Sequence, residues 1–234
     1  MALKEKIRRF YREHRLYALA AGGAVILALI LLVAAFTAKQ TILRGVLIGE
    51  GALTEYQGLS DGFVESLGFS KSSAKVQIVD MVAYIADPET PGGNFSAIEI
   101  LVEYDAKGIA DFLLGEGEAM KNLAYSEFFA DLRDLLTQEQ LDTLEDKLLY
   151  VDMAVIRQLE QMALTQEYPE DFAFPDPKNP QDMEEPVPVL VDVTGHETLK
   201  PLFGDDAVLL AVAQNGGHRA AVKAFAEYLA TEKE

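Results

Sequence analysis

Thr41-Ile-Leu-Arg-Gly-Val-Leu-Ile-Gly49 reads as a buried strand, a short run of β-branched and leucine residues ending on glycine. The spacing then turns helical: Leu53, Tyr56, Leu59, Phe63, Val64 and Leu67 place a helix over 52–67, closed by Gly68. KVQIVDMVAYI (75–85) is a second strand, stopped by Asp87-Pro88 and Pro91-Gly92-Gly93. Asn94 or Ser96 caps the next helix, which runs to Tyr104 and stops near Gly108. ADFLL (110–114) reads as a short strand and 116–134 as one or two helices. A capping box at Thr137-Gln-Glu-Gln140 opens a helix with Leu141, Leu144 and Leu148 on one face. Residues 147–163 fit a continued helix, a strand or both. PVLVDVT (188–194) and AVLLAVA (207–213) are late strands, and 218–231 is an amphipathic closing helix. Strands alternating with helices predict an α/β fold, a mostly parallel sheet covered by helices.

Upstream of that domain, Leu16–Ala38 (LYALAAGGAVILALILLVAAFTA) is an uncharged run between Arg15 and Lys39. As a helix it reaches about 35 Å, enough to cross a ~30 Å hydrocarbon core. Residues 1–15 form a basic stub with Lys4, Lys6, Arg8, Arg9, Arg12 and Arg15 against Glu5 and Glu13. The positive-inside rule leaves this stub in the cytoplasm and exports residues 39–234 from the cell membrane as one extracytoplasmic domain. A cleaved signal peptide is the alternative, but its apolar stretch is usually about 7–15 residues, and Phe36 interrupts a small-x-small site at Ala38.

The chain's net charge is −18; the stub contributes a surplus of four positive charges, so everything after it carries −22. So acidic a body repels phosphate backbones, which argues against nucleic acid as a partner. With no cysteine, disulfides and thiolate metal sites are excluded. Nothing in the sequence calls for a cofactor.

FLLG (112–115), followed by EFFADLRDLLTQEQL (127–141), resembles the strand, short helix and F-x-DL-x-x-L segment of bacterial extracellular solute-binding proteins. AVLLAVAQNGGHRAAVKAFAEYL (207–229) resembles their late strand, Asn turn and closing helix. The chain as a whole is similar to uncharacterised single-pass membrane proteins of Gram-positive bacteria with a basic start, an anchor and a loop like FPDPKNPQDMEEPVPVLVDVT (174–194). The resemblance implies a fold like one lobe of a type 2 periplasmic binding protein. Full members have two lobes around a hinged cleft, and about 195 exported residues suit one domain.

Open α/β sheets bind ligands beyond the carboxyl ends of their strands. Glu50, Glu116, Thr194, His196 and Asn215 all follow predicted strands and form the candidate ligand-binding set. Gly49-Glu50-Gly51 and Gly115-Glu116-Gly117 lack the third glycine of a phosphate loop, Thr54 and Met120 standing there. His196 and His218 have no HxH or HExxH partner, and no G-x-S-x-G elbow exists, so neither a metal centre nor an enzyme is predicted. Residues 167–186 form an acidic, proline-rich loop with no calcium-loop order, either functional or mobile. Two functions fit this pattern. One is a membrane-anchored module binding a solute or envelope component at the sheet's carboxyl edge. The other is an accessory subunit that docks a membrane protein through that edge or the acidic loop.

Overall fold

β1 (Gln40–Ile48) is the strand expected from the first run, and α1 (Gln57–Ser66) follows it. The computed structural model describes residues 4–5, 23–30, 38–49, 56–84, 95–126, 128–165, 172 and 174–231. The chain divides near residue 40 into two units. In the first, residues 23–30 are helical and exposed, with Val25, Ile26, Leu27, Leu29 and Ile30 open to their surroundings. Most of the anchor expected at 16–38 lies outside the described residues, and no helix among the described residues is long and apolar enough to cross a membrane.

The second unit continues with β2 (Ala74–Val82), α2 (Phe95–Ala106), β3 (Phe112–Glu116), α3 (Gly117–Leu123), α4 (Gln138–Thr143) and β4 (Leu148–Asp152). It ends with α5 (Met153–Thr165), β5 (Pro186–Asp192), α6 (Lys200–Phe203), β6 (Val208–Val212) and α7 (Arg219–Ala230). The six strands form one sheet in the order β2-β1-β3-β6-β5-β4. β1 and β3 are parallel, from Gly45↔Phe112 to Ile48↔Gly115. β6 is antiparallel to both β3 and β5, and β4 is antiparallel to β5. The sheet is therefore mixed, which corrects the mostly parallel expectation. β5 and β6 are joined through the short α6 without a covering crossover helix, and so return antiparallel.

Alternation along the strands sends side chains to two apolar layers. Phe112, Leu114, Leu210 and Val212 face Phe63 of α1 and Val222, Phe225 and Leu229 of α7. Leu113, Leu209 and Ala211 face Leu101 of α2, Met120 and Leu123 of α3, and Ile156 of α5. The Phe225 ring centres the first layer, 4.9 Å from Phe63 edge-on and 4.6 Å from Phe112. The Phe112 ring covers Gly45 on the neighbouring strand, where an added Cβ would sit 2.1 Å from it. Phe112 is fully buried, so it has little room to yield. We expect Gly45→Ala to cost about 1–3 kcal/mol through this overlap, measured as a fall in urea midpoint at unchanged slope.

Two local expectations are revised and one open stretch is resolved. Residues 116–134 are not long helices: after α3 the chain makes short 3-10 turns at Ala124–Ser126 and Leu132–Asp134. Between them Phe129 bridges Ala213. The Thr137 cap does form, its N–H donating to Gln140 Oε1 at 2.9 Å. Its helix nevertheless ends at Thr143, and Leu148 opens β4. The ambiguous stretch is both strand and helix, β4 then α5, with no loop between.

The described part of the acidic loop covers a sheet edge. β4 is the terminal strand, and Tyr150 N–H donates outward to Pro177 O at 2.8 Å. Lys178 reaches Asp192 Oδ2 at 3.4 Å, and Asp176 accepts from Lys178 N–H at 2.9 Å. Proline and charge on an edge are the usual guards against strand addition.

Candidate functional site

The carboxyl ends of β1, β3 and β5 lie together at one end of the sheet. There the Glu116 carboxylate lies over Gly49, Oε1 falling 3.0 Å from where a Cβ would stand. Beyond β5, a cavity of about 310 Å³ is lined by Thr194, His196, Thr198, Lys147 and Lys200. Several of its polar side chains already have partners within the protein. Thr194 Oγ1 accepts from Val208 N–H at 3.0 Å, which ties the turn to β6. His196 is 7 % exposed; its Nδ1 lies 2.8 Å from Thr198 Oγ1 and its ring stacks edge-on against Tyr228. Lys147 Nζ donates to Ala230 O at 2.6 Å, a cation on the carboxyl end of α7.

The larger concavity lies at the opposite end. β5 and β6 keep register only from Leu190↔Ala211 to Asp192↔Leu209. Farther along, Phe128–Ala130 takes the place of β5 beside β6. Ala130 N–H donates to Val212 O at 2.8 Å and Gln214 N–H to Phe128 O at 3.1 Å. The space between this segment and the diverging β5 is a groove of about 1110 Å³. Val151, Ile156, Val187, Val189 and Phe129 line it with apolar surface.

Guanidinium groups from three separate segments line the same groove: Arg133, Arg157 and Arg219. Only four arginines follow residue 40, the fourth being Arg44. Arg133 is held by Asp131, with Nη2 to Oδ2 at 2.7 Å, and this hydrogen bond holds the guanidinium above its ordinary pKa. Arg157 Nη2 meets Glu185 Oε1 at 2.7 Å and in turn keeps the Glu185 carboxyl below its usual range. Arg219 Nη2 donates to the Gln214 carbonyl at 2.5 Å.

Three buried carboxylates set the walls. Asp152, 6 % exposed, accepts from the N–H groups of Glu184 at 2.8 Å, Glu185 at 2.9 Å and Ala154 at 3.0 Å, fixing the Glu185 side of the groove. Burial pushes its pKa up, but these three donors, with Arg157 nearby, outweigh burial and leave it lowered. On the other side Asp111, fully buried, accepts from Arg44 N–H at 2.8 Å, Gly217 N–H at 2.9 Å and His218 N–H at 3.1 Å. His218 Nδ1 sits 2.9 Å from its second oxygen. Asp105 holds Asn215 through its N–H at 2.9 Å and Nδ2 at 2.7 Å.

The five residues expected to form one site are thus separated. Glu50 lies outside the described residues. Glu116, Thr194 and His196 stand at the carboxyl end of β3 and β5, whereas Asn215 lines the groove at the other end. The reason is the antiparallel course of β6, which carries Asn215 to the amino-terminal end of β3. The arginines escaped the sequence reading because none belongs to a motif. Their scarcity in so acidic a chain was the available signal. Asp131, half-buried, and Asp134, exposed, also line the groove on either side of the buried Leu132. Compared with family models, curated proteins and solved structures, the chain matches none.

Proposed function

We propose that this chain is a membrane-tethered, extracytoplasmic, non-catalytic module that binds a solute or envelope component in the groove between β5 and Phe128–Ala130. The carrying observation is the groove itself: about 1110 Å³, with an apolar floor and a polar wall that carries three arginines. Binding pockets pair apolar surface with polar groups placed to orient a ligand. The uncharged run 16–38, with a basic stub before it and an acidic domain after it, supports the tether and its direction. A sheet sandwiched by helices and closed by α7 supports kinship with one lobe of a type 2 periplasmic binding protein.

A thermal-shift screen of sugars, amino acids, peptides and divalent cations tests binding. A ligand at a hundredfold excess over its Kd adds about 2.7 kcal/mol, which for a domain of this size is a rise of about 5–10 °C in Tm. Gln214→Trp, an exposed position on the groove wall, is expected to abolish that rise while leaving the unliganded Tm nearly unchanged. If no ligand raises Tm and crosslinking in cells recovers a partner held at the groove, the accessory-subunit reading replaces this one. Protease added to intact cells should digest the domain; digestion only after lysis would invert the proposed orientation.

A further inference from the structure

The three groove arginines differ in what they already hold. Arg133 is committed to Asp131, with Asp134 also near enough to raise its pKa, and Arg157 is committed to Glu185. Among the described residues no carboxylate lies within ion-pair distance of Arg219, whose guanidinium donates to a backbone carbonyl. Its side chain stands at the end of the groove where α7 begins, and Asp105 and Asp111 hold the backbone around it. A domain with a charge near −22 repels anions over most of its surface. This groove is the exception, since its three acids are offset by three guanidinium groups.

The geometry points to a carboxylate-bearing ligand with an aliphatic body, its carboxylate received by the guanidinium of Arg219 and its body laid along Met153, Pro186 and Val187, the half-buried apolar residues of the lining. This inference rests on the groove being the binding site. A guanidinium presents a planar fork of donors that matches a carboxylate, and its charge strengthens each contact. Asp131 and Glu185 keep the other two arginines in place, so the ligand's charge is drawn to the unmatched one.

The test compares N-acetyl-leucyl-leucine with its C-terminal amide, probes that differ in terminal charge and share one body. Their affinities are measured by NMR for the full chain in lipid nanodiscs. The acid should bind about tenfold more tightly, a difference of about 1.4 kcal/mol. Arg219→Gln should erase the difference by weakening the acid alone, and Arg219→Lys should restore part of it. Adding 4-methylpentanoate distinguishes a free acid from a peptide terminus, and whichever acid binds more tightly identifies the source. Equal affinity for acid and amide in the unaltered chain overturns the carboxylate assignment while leaving the groove a binding site. Tighter binding of isobutyl phosphate than of either acid also overturns it. Failure of all these probes overturns it as well, whereas the broader binding reading stands or falls on the thermal-shift screen.

Discussion

Replacing Asp111 with alanine is expected to lower unfolding free energy by about 3–5 kcal/mol, the largest effect foreseen for a single substitution in this domain. The carboxylate is fully buried and accepts three backbone N–H groups, from Arg44 in β1 and from Gly217 and His218 at the entry to α7. Alanine would leave all three donors without their carboxylate acceptor. It would also remove the partner of the His218 ring and of Arg44, whose Nε lies 3.7 Å from Oδ2. Urea denaturation measures the loss directly, and a fall of less than about 1 kcal/mol would show that the node is dispensable. Asparagine keeps one acceptor oxygen and should recover part of the loss. Asp111 secures the chain just before Arg219, so the same variant should also weaken ligand binding at the groove more than a distant core substitution of equal cost.

Asp152→Asn should cost about 2–4 kcal/mol at neutral pH, since the side chain satisfies three N–H donors from inside the protein. The pH dependence has a defined sign. The folded-state pKa of Asp152 lies below its ordinary value because the three backbone donors and Arg157 outweigh the opposing effect of burial. Its contribution is therefore complete above the unfolded pKa of about 3.9 and is lost as pH falls through the lower folded value. The stability gap between the unaltered chain and Asp152→Asn should be full at pH 7 and narrow progressively below about pH 4. Parallel urea titrations at pH 7 and pH 3 check this. An unchanged gap at both would mean that the ionised carboxylate contributes nothing beyond its shape.

These two carboxylates illustrate why the groove was hard to foresee. In the sequence Asp111 and Asp152 look like ordinary acids in an acidic chain, each beside an apolar run. Their importance comes from contacts that span 106 residues between Asp111 and Gly217, and 32 between Asp152 and Glu184. No local pattern encodes such distances. His218 precedes α7 with a half-open side chain, and the helix entry is held by Asp111 from across the sheet.

The strands and helices themselves were more legible. β1, β2, β5, β6 and α7 follow directly from runs of branched apolar residues, glycine stops and helical spacing. Errors arose where apolar residues fitted both periods. Leu141, Leu144 and Leu148 share a helical spacing, yet the chain turns after Thr143 because Leu148 is drawn into the sheet beside Val191. Phe128–Ala130 sits in a stretch that reads as helix, yet it pairs with β6 because β5 has swung away and left that edge unfilled.

Local composition alone determined the α/β class, the acidic character of the domain and the apolar run beside a basic stub, because each depends on neighbours within a few turns of chain. The tertiary structure decided the direction of β6, the edge-covering role of the acidic loop and the meeting of Arg133, Arg157 and Arg219 in one groove. Strand direction depends on which surfaces bury most area once every element is packed, and that balance is struck between residues far apart in sequence.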